Sequence, residues 1–193
     1  IVSESSIAAG VRRIEAITGE RVEKAISETT AVLRQVSEML NNAPDVVAGL
    51  RRAIDENASL RHQAEEYFKE RVRMQTAQLL ADAETVAGVK VVDMTGMRMA
   101  DVVKAVAFAV REQSPENTAF IGATVDLQGK PLLTVMFSDD LVKSGYNAST
   151  VVREAAKAIK GGGGGQPGFA QAGGKNADGI AAAHEALLQA IKH

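Results

Sequence analysis

The sequence predicts an α+β protein: an N-terminal long antiparallel helical hairpin, similar to a coiled coil, followed by a small α/β globular domain with a mixed sheet and a glycine-rich loop. Three observations predict it. Residues 20–41 carry apolar side chains at heptad spacing. Residues 88–138 contain segments rich in β-branched side chains, bounded by glycines. Nine of the seventeen glycines lie between Gly161 and Gly179.

Composition limits the classes of protein that remain. The chain has 193 residues, 46% of them hydrophobic and 24% charged, with a net charge of −2, which predicts a folded chain of one or two domains. The absence of cysteine excludes disulfides and thiolate chemistry. No apolar run reaches the roughly 18 residues of a membrane span, so no membrane partner is expected. The first residues lack an initiator methionine and signal-peptide features, so we expect an excised fragment.

The helical hairpin is predicted from two seams. The first helix has apolar or small side chains at spacings of 4, 3, 4, 3 and 4: Val22, Ile26, Thr29, Leu33, Val36 and Leu40. The sequence NNAPD at 41–45 predicts that this helix ends near Asn42 and that the second begins near Pro44 or Asp45. The second helix is expected to continue to about Val86, on the order of 60 Å of helix. Because Asn57, Arg61 and Gln75 interrupt its seam, packing between the two helices is favoured over a seam that also dimerises.

The predicted elements after Gly88 alternate between strands and helices: a strand at 88–96, a helix at 99–113, strands at 118–127 and 131–138, and helices at 139–144, 150–159 and 178–191. The continuous apolar runs of the two later strands indicate strands covered on both faces. A turn at 128–130 joins them as a hairpin. Ser149 and Asp178 are the expected N-caps of the last two helices.

The glycine segment has two interpretations. A glycine run is by default a flexible linker. Here it lies between predicted helices. The stretch from Lys143 to Lys175 contains five basic residues and only one acidic residue. Consecutive glycine amides can form a concave nest for phosphate, and lysines add long-range attraction. We therefore favour binding of phosphate or a nucleic-acid backbone, although the segment lacks the G-x-x-x-x-G-K-[ST] pattern.

The candidate binding residues are the basic, glycine and glutamine residues around this segment: Lys143, Arg153, Lys157, Lys160, Gly161, Gly162, Gly163, Gly164, Gly165, Gln166, Gln171, Gly173, Gly174 and Lys175. No catalytic residue and no metal ligand is expected. Asp139 and Asp140 are interpreted as acids at a helix N-terminus rather than as a metal pair. Phe169 is interpreted as an anchor in the core, in preference to a platform for a base.

Two segments resemble a known family. Residues 161–175, GGGGGQPGFAQAGGK, resemble the glycine-rich signature of the DHH-associated C-terminal domain. Together with DLVKSGYNAS at 140–149 and REAAKAIK at 153–160, they resemble the C-terminal domain of bacterial alanyl-tRNA synthetase. SESSIAAGVRRIEAITGE, residues 3–20, resembles the end of that enzyme's editing module.

The resemblance implies three domains: a remnant of the editing module at 1–19, a helical hairpin linker at 20–87 and a tRNA-binding domain at 88–193. Arg12 matches an arginine near the family's editing pocket; the other interpretation is an exposed arginine on a helix.

The implied function is that of the non-catalytic C-terminal part of alanine-tRNA ligase. It would bind the outer corner of tRNA(Ala), tether the aminoacylation and editing modules, and form a homodimer through the hairpin or the C-terminal domain. The parent enzyme is expected to be cytoplasmic and to use ATP, Mg and Zn, whereas the fragment is expected to be inactive and to bind no cofactor. The alternative is the substrate-binding domain of a DHH-type phosphoesterase or of a free-standing alanyl-tRNA deacylase.

Overall fold

The computed structural model describes residues 1–192, apart from the side chain of Met97. The chain divides into two compact units, one from Ile1 to Gln63 and one that begins at Ala64. The boundary falls within a helix, so neither unit ends in a loop at this point. None of the helices in the described part of the chain is long and apolar enough to cross a membrane.

The first unit contains a short hairpin and helical segments. Its elements are β1 (Ser3–Ala8), β2 (Val11–Glu15), α1 (Glu20–Met39) and the first part of α2 (Val46–Ala81). β1 and β2 pair antiparallel. Asn41 and Asn42 both adopt left-handed backbone angles, with φ of 58° and 57°. Asparagine tolerates this region, so the pair redirects the chain between the two helices. Asp45 then caps α2, because its Oδ1 accepts a hydrogen bond from Ala48 N at 2.9 Å.

The predicted packing of α1 against α2 is wrong. The helices meet at their connection, where Gly49 and Ala43 are buried and Ser37 Oγ donates a 2.7 Å hydrogen bond to Ala43 O. Beyond it, the described residues form no extended interface between the two helices, and Leu33 and Ile54 are 53% and 59% exposed. A polar residue, Asn57, follows Ile54 on the seam of α2, so this face offers α1 no continuous apolar surface.

The second unit is an α/β structure with a mixed sheet, as predicted, and the sheet has six strands. After α2 its elements are β3 (Glu84–Val86), β4 (Val89–Met97), α3 (Ala100–Gln113), β5 (Thr118–Val125), β6 (Pro131–Phe137), α4 (Asp139–Lys143), α5 (Ala148–Ala156), β7 (Gly162–Gln166), β8 (Phe169–Gly173) and α6 (Ile180–Gln189). The strand order is β3-β4-β5-β6-β8-β7. β4 and β5 are parallel, and the other neighbours are antiparallel.

Each face of the sheet has its own hydrophobic core. On one face, α5 and α6 pack over side chains that include Leu133, Phe137 and Leu187. On the other, α3 and the C-terminal turns of α2 pack over Phe120 and Met136. The central strands are therefore covered on both sides, as their continuous apolar sequences predict. On that face α3 contacts β5 and β6, whereas the residues of β7, at the edge of the sheet, are exposed or half-buried.

Three predicted boundaries are wrong. α2 ends at Ala81 instead of Val86, because Ala87 and Gly88, with φ of 49° and 84°, form a two-residue turn that pairs β3 with β4. Asn147, and not Ser149, caps α5: its side chain accepts hydrogen bonds from the two following backbone N–H groups of the helix, Ser149 and Thr150. Asp178 lies in a 3₁₀ turn before α6 and makes no capping hydrogen bond.

Candidate functional site

The glycine segment is a β-hairpin at the edge of the sheet, and not the predicted loop. Gly162 lies opposite Gly173 and Gly164 opposite Gln171, with Pro167 and Gly168 between the strands. A phosphate nest requires residues in left-handed conformations. None of the glycines at 161–165 has a φ in that region. The predicted nest is therefore wrong, and the backbone is extended.

Glycine is required at alternate positions by the close approach of the two strands. A Cβ built on Gly161, Gly163 or Gly165 would lie 2.1–2.3 Å from a backbone carbonyl oxygen of β8, the neighbouring strand. A Cβ built on Gly162, in contrast, would meet no atom within 4 Å. The segment is thus an ordered edge strand whose alternate glycines allow backbone contact, which excludes the linker interpretation.

α5 ends in a Schellman motif that positions Lys160 next to the hairpin. Gly161 N donates to Ala156 O at 3.0 Å, and Lys160 N donates to Lys157 O at 3.2 Å. Lys160 occupies the left-handed position of this motif, with φ of 48°. Glycine is the usual residue there, because a left-handed backbone costs other residues about 1–2 kcal/mol.

A cleft of about 460 Å³ lies at this end of the hairpin. We call it the lysine cleft: its walls include Lys130, Lys160 and Lys175, together with Gly161, Gly162, Gly173 and Gly174. Within residues 1–192, none of the three lysines forms an ion pair. The acid in its wall, Asp126, accepts hydrogen bonds from the backbone N–H groups of Gln128 and Lys130 at 2.9 and 2.7 Å. Three cations against one acid leave the cleft positively charged.

Lys130 was missed by the sequence analysis. It lies about thirty residues before the glycine segment, in the turn between β5 and β6. β6 pairs with β8, and Leu132 lies opposite Gly173. This pairing brings Lys130 to the cleft. The sequence does show a lysine in a turn directly before a strand. It could be assigned to the cleft only once the pairing of β6 with β8 was known.

A second cleft, of about 560 Å³, lies further along the same hairpin. We call it the aromatic cleft: its walls include Phe108, Arg111, Gln166, Phe169 and Gln171. The rings of Phe108 and Phe169 stack with centroids 4.9 Å apart and planes at 27°. Phe169 also packs against the core under α3, which confirms its interpretation as an anchor. Gln171 Nε2 donates a 2.9 Å hydrogen bond to Thr134 Oγ1.

The structure separates the other predicted basic residues from these clefts. Lys143 ends α4, and Arg153 and Lys157 lie on α5. Lys157 is paired with Glu154. Arg153 lies on the α5 side of β7, where its Nη2 would be 3.4 Å from a Cβ built on Gly164. None of these three lines either cleft, whereas Gln166 and Gln171 line the aromatic cleft.

Arg12 lies on β2, so its interpretation as a helix arginine is wrong. Its Nε is 2.7 Å from Glu4 Oε1, and its side chain is 67% exposed. The pair is a cross-strand contact between β1 and β2.

The two adjacent aspartates take structural roles at the start of α4, as predicted. Asp139 pairs with Arg111. Asp140 Oδ2 accepts a 2.7 Å hydrogen bond from Asn117 N. Hydrogen bonds from the Ser138 side chain and from Asn117 N hold the pKa of Asp140 below its ordinary value. In the described part of the chain, no three histidine, aspartate or glutamate side chains come together as a metal site would require.

The chain is similar to known proteins over almost its whole length. A family profile for the DHHA1 domain matches residues 89–193. The alanine-tRNA ligases of Bacteroides thetaiotaomicron, Porphyromonas gingivalis and Acetivibrio thermocellus are 48%, 40% and 36% identical to it over 98%, 97% and 100% of the chain. Each alignment covers 22% of the relative, so the chain spans about a fifth of the length of these curated relatives.

A solved structure has the same fold. The C-Ala domain from Aquifex aeolicus alanyl-tRNA synthetase aligns with a TM-score of 0.51 at 24% identity, over 57% of this chain and 98% of that domain. The resemblance to the C-terminal region of alanyl-tRNA synthetase is confirmed by the sequence relatives. Because the family profile matches more than half of the residues, the chain belongs to the DHHA1 domain family.

Proposed function

We propose that this chain is the non-catalytic C-terminal part of an alanine-tRNA ligase and that it binds the outer corner of tRNA(Ala) through the lysine cleft. The names of the relatives support the choice of RNA. The observation that carries the proposal is the convergence of three lysines, none of them in an ion pair with any residue of 1–192, on a surface of exposed glycine backbone.

The chemistry of the cleft suits phosphate groups. Lysine ammonium groups donate hydrogen bonds and accept none, so they favour anions. Glycine at positions 161, 162 and 173 leaves exposed backbone without side chains, which lets a sugar–phosphate chain come close. Phosphate contacts fix position and carry no base sequence. A site of this kind therefore recognises the shape of a folded RNA, consistent with a role in holding tRNA for other modules.

The remaining activity belongs, in this proposal, to the full-length ligase. That enzyme attaches alanine to tRNA with ATP and Mg and edits mischarged tRNA with Zn, in the cytoplasm. The chain spans about a fifth of the length of the ligases it matches, and we assign no catalytic step to it in this proposal. Its part is to bind tRNA and to tether the aminoacylation and editing modules on one molecule.

Self-association is the second part of the proposal. The seam of α1 has heptad spacing, and α2 does not cover it. Ile26 and Leu33 are 61% and 53% exposed. The partner that best matches a heptad seam is another helix with the same spacing. We therefore propose a second copy of this chain as the occupant of the seam.

The tRNA proposal is tested by titrating a tRNA(Ala) transcript with the 193-residue chain at several salt concentrations. Lys130→Ala, Lys160→Ala and Lys175→Ala should each weaken binding and lower the slope of log K against log salt by about 1. Lys157→Ala is the matched control, because Lys157 lies outside the cleft and is paired with Glu154.

Two results would contradict the proposal. One is absence of salt-dependent tRNA binding by the unmodified chain. The other is equal affinity and slope for the unmodified chain and all three cleft variants. A loss in the Lys157 control as large as in the cleft variants would also count against it, because the effect would then be a general one of removing positive charge and not specific to the lysine cleft.

A further inference from the structure

Phe108 is a large apolar side chain on the exposed side of α3, where Asp101, Lys104 and Glu112 are also exposed. Val102, Val103, Val106, Ala107 and Val110 of α3 are all buried, yet Phe108 is 43% exposed. The other phenylalanines of the second unit's sheet are covered: Phe120 and Phe137 are fully buried, and Phe169 packs against the core. Phe108 thus presents one ring face to the aromatic cleft while Phe169 supports the other.

The aromatic cleft and the lysine cleft lie side by side on one face of the sheet. Gly173 lines the lysine cleft and Gln171 the aromatic cleft. These residues are two positions apart on β8, so they share a face and are roughly 7 Å apart. It is also the face that α3 covers elsewhere, since Phe169 belongs to the core under α3. A ligand that spans roughly 7 Å or more can therefore contact both clefts.

The two clefts differ in chemistry. The lysine cleft has three lysines that form no ion pair within the described part of the chain. In the aromatic cleft the guanidinium of Arg111 is paired with Asp139, which leaves little net charge. What remains there is an exposed ring and the amides of Gln166 and Gln171. The hydrogen bond from Gln171 Nε2 to Thr134 orients that amide and leaves its Oε1 as an acceptor.

We infer that the aromatic cleft binds an unpaired nucleobase, stacked on Phe108, while the phosphate next to that base lies in the lysine cleft. Unpaired bases in RNA loops are recognised by stacking on aromatic rings and by hydrogen bonds to their edges. A ring beside amides, next to a cluster of cations, matches the order of groups in one nucleotide. The inference rests on the proposed RNA binding and adds a base-binding residue to it.

The test uses the 193-residue chain and two fluorescently labelled probes of equal charge: an eight-nucleotide single-stranded RNA and the same strand with abasic residues. The unmodified chain should bind the strand with bases roughly 5- to 150-fold more tightly, the range expected for one base–aromatic stack. Phe108→Leu, which keeps an apolar side chain, should remove this preference and leave binding of the abasic strand unchanged. Phe108→Tyr should retain the preference.

The controls separate this inference from the proposed function. Lys160→Ala should weaken both probes equally, since it removes a phosphate contact. Unchanged preference in Phe108→Leu, or equal binding of the two probes by the unmodified chain, would overturn the base site while leaving phosphate binding in place. Failure of the unmodified chain to bind either probe and tRNA would overturn both proposals.

Competition identifies the source of the nucleotide. Displacement of the RNA by AMP but not by ribose 5-phosphate supports a site that also accepts a free nucleotide. Displacement only by an unlabelled strand with bases supports a site for nucleotides within RNA. Equal displacement by AMP and ribose 5-phosphate would show that the base contributes nothing, and it would overturn the inference.

Discussion

Among single residues, Lys160 combines an unusual backbone conformation with a place in the lysine cleft. Its backbone is left-handed, with φ of 48°, at the site of a Schellman motif that usually holds glycine. The strain is maintained by the hydrogen bonds of its neighbours, such as Gly161 N to Ala156 O. Strained residues often lie at functional sites. Here the strained residue contributes one of the three cations of the lysine cleft.

Lys160→Gly is expected to stabilise the fold and weaken RNA binding. Removing the left-handed penalty of about 1–2 kcal/mol outweighs the entropy that glycine adds to the unfolded chain, about 0.4–1 kcal/mol, so stability should rise by roughly 0.5–1 kcal/mol. Urea unfolding followed by circular dichroism measures the gain, and tRNA titration the loss. Lys160→Ala is the control, since it removes the charge and keeps the strain. Lower stability of the glycine variant would contradict this explanation.

At the scale of elements, the β7–β8 hairpin explains why glycines occur in a run. Only alternate positions need glycine: at Gly161, Gly163 and Gly165 the opposite backbone occupies the space of a side chain. Gly162 lies in the wall of the lysine cleft with open space around its Cα. Glycine there is not needed for the hairpin, but it leaves the backbone of the cleft exposed.

Gly163→Ala and Gly162→Ala form a matched pair that tests whether glycine is needed only at alternate positions of β7. The Cβ of the first would lie 2.1 Å from Gln171 O, so we expect a loss of about 1–3 kcal/mol or more, as for other overpacked sites. The second should change stability by no more than about 0.5 kcal/mol. Urea unfolding of both variants decides the matter, and equal stabilities would mean that β7 does not approach β8 as closely as described.

At the scale of the whole molecule, average properties conceal local ones. The net charge is −2, but residues 1–87 carry eleven basic and fourteen acidic side chains, whereas residues 88–193 carry eleven and ten. Within the second part, the lysine cleft is more positive than this average. Apolar surface is also unevenly distributed, since Ile26 and Leu33 of the α1 seam are exposed while the central strands of the sheet are covered on both faces.

Exposure of the α1 seam predicts concentration-dependent self-association. Burying Leu33 between two copies would contribute about 1.5–3 kcal/mol per side chain, and Leu33→Glu would replace this gain with the cost of a buried carboxylate. Sedimentation equilibrium of the unmodified chain should show dimer at high concentration, and Leu33→Glu should remain monomeric. Gln35→Glu adds the same charge at an exposed position outside the seam and should still dimerise. A monomer mass for the unmodified chain at every concentration would contradict the seam as an interface.

Much of the architecture could be predicted because it depends on local pattern. The start of α1 at Glu20 and the β5–β6 hairpin match their predictions closely. The errors occur where contacts distant in sequence decide. Ser149 and Asn147 are both suitable caps, and only the backbone geometry selects Asn147. A heptad seam indicates that a helix has an apolar face, but not which surface covers it.

Local sequence pattern was enough to predict the α+β class and the resemblance to the C-terminal region of alanyl-tRNA synthetase, and it indicated residues 161–175 as the candidate binding segment. Tertiary structure alone decided that this segment is a strand, since five glycines carry no side-chain period from which a strand can be recognised. It also decided the composition of the site. Lys130 joins Lys160 and Lys175 because β6 pairs with β8, and Phe108 reaches β8 because α3 packs across the sheet. Hydrogen-bonded strand pairing and helix packing brought these residues together from distant parts of the chain.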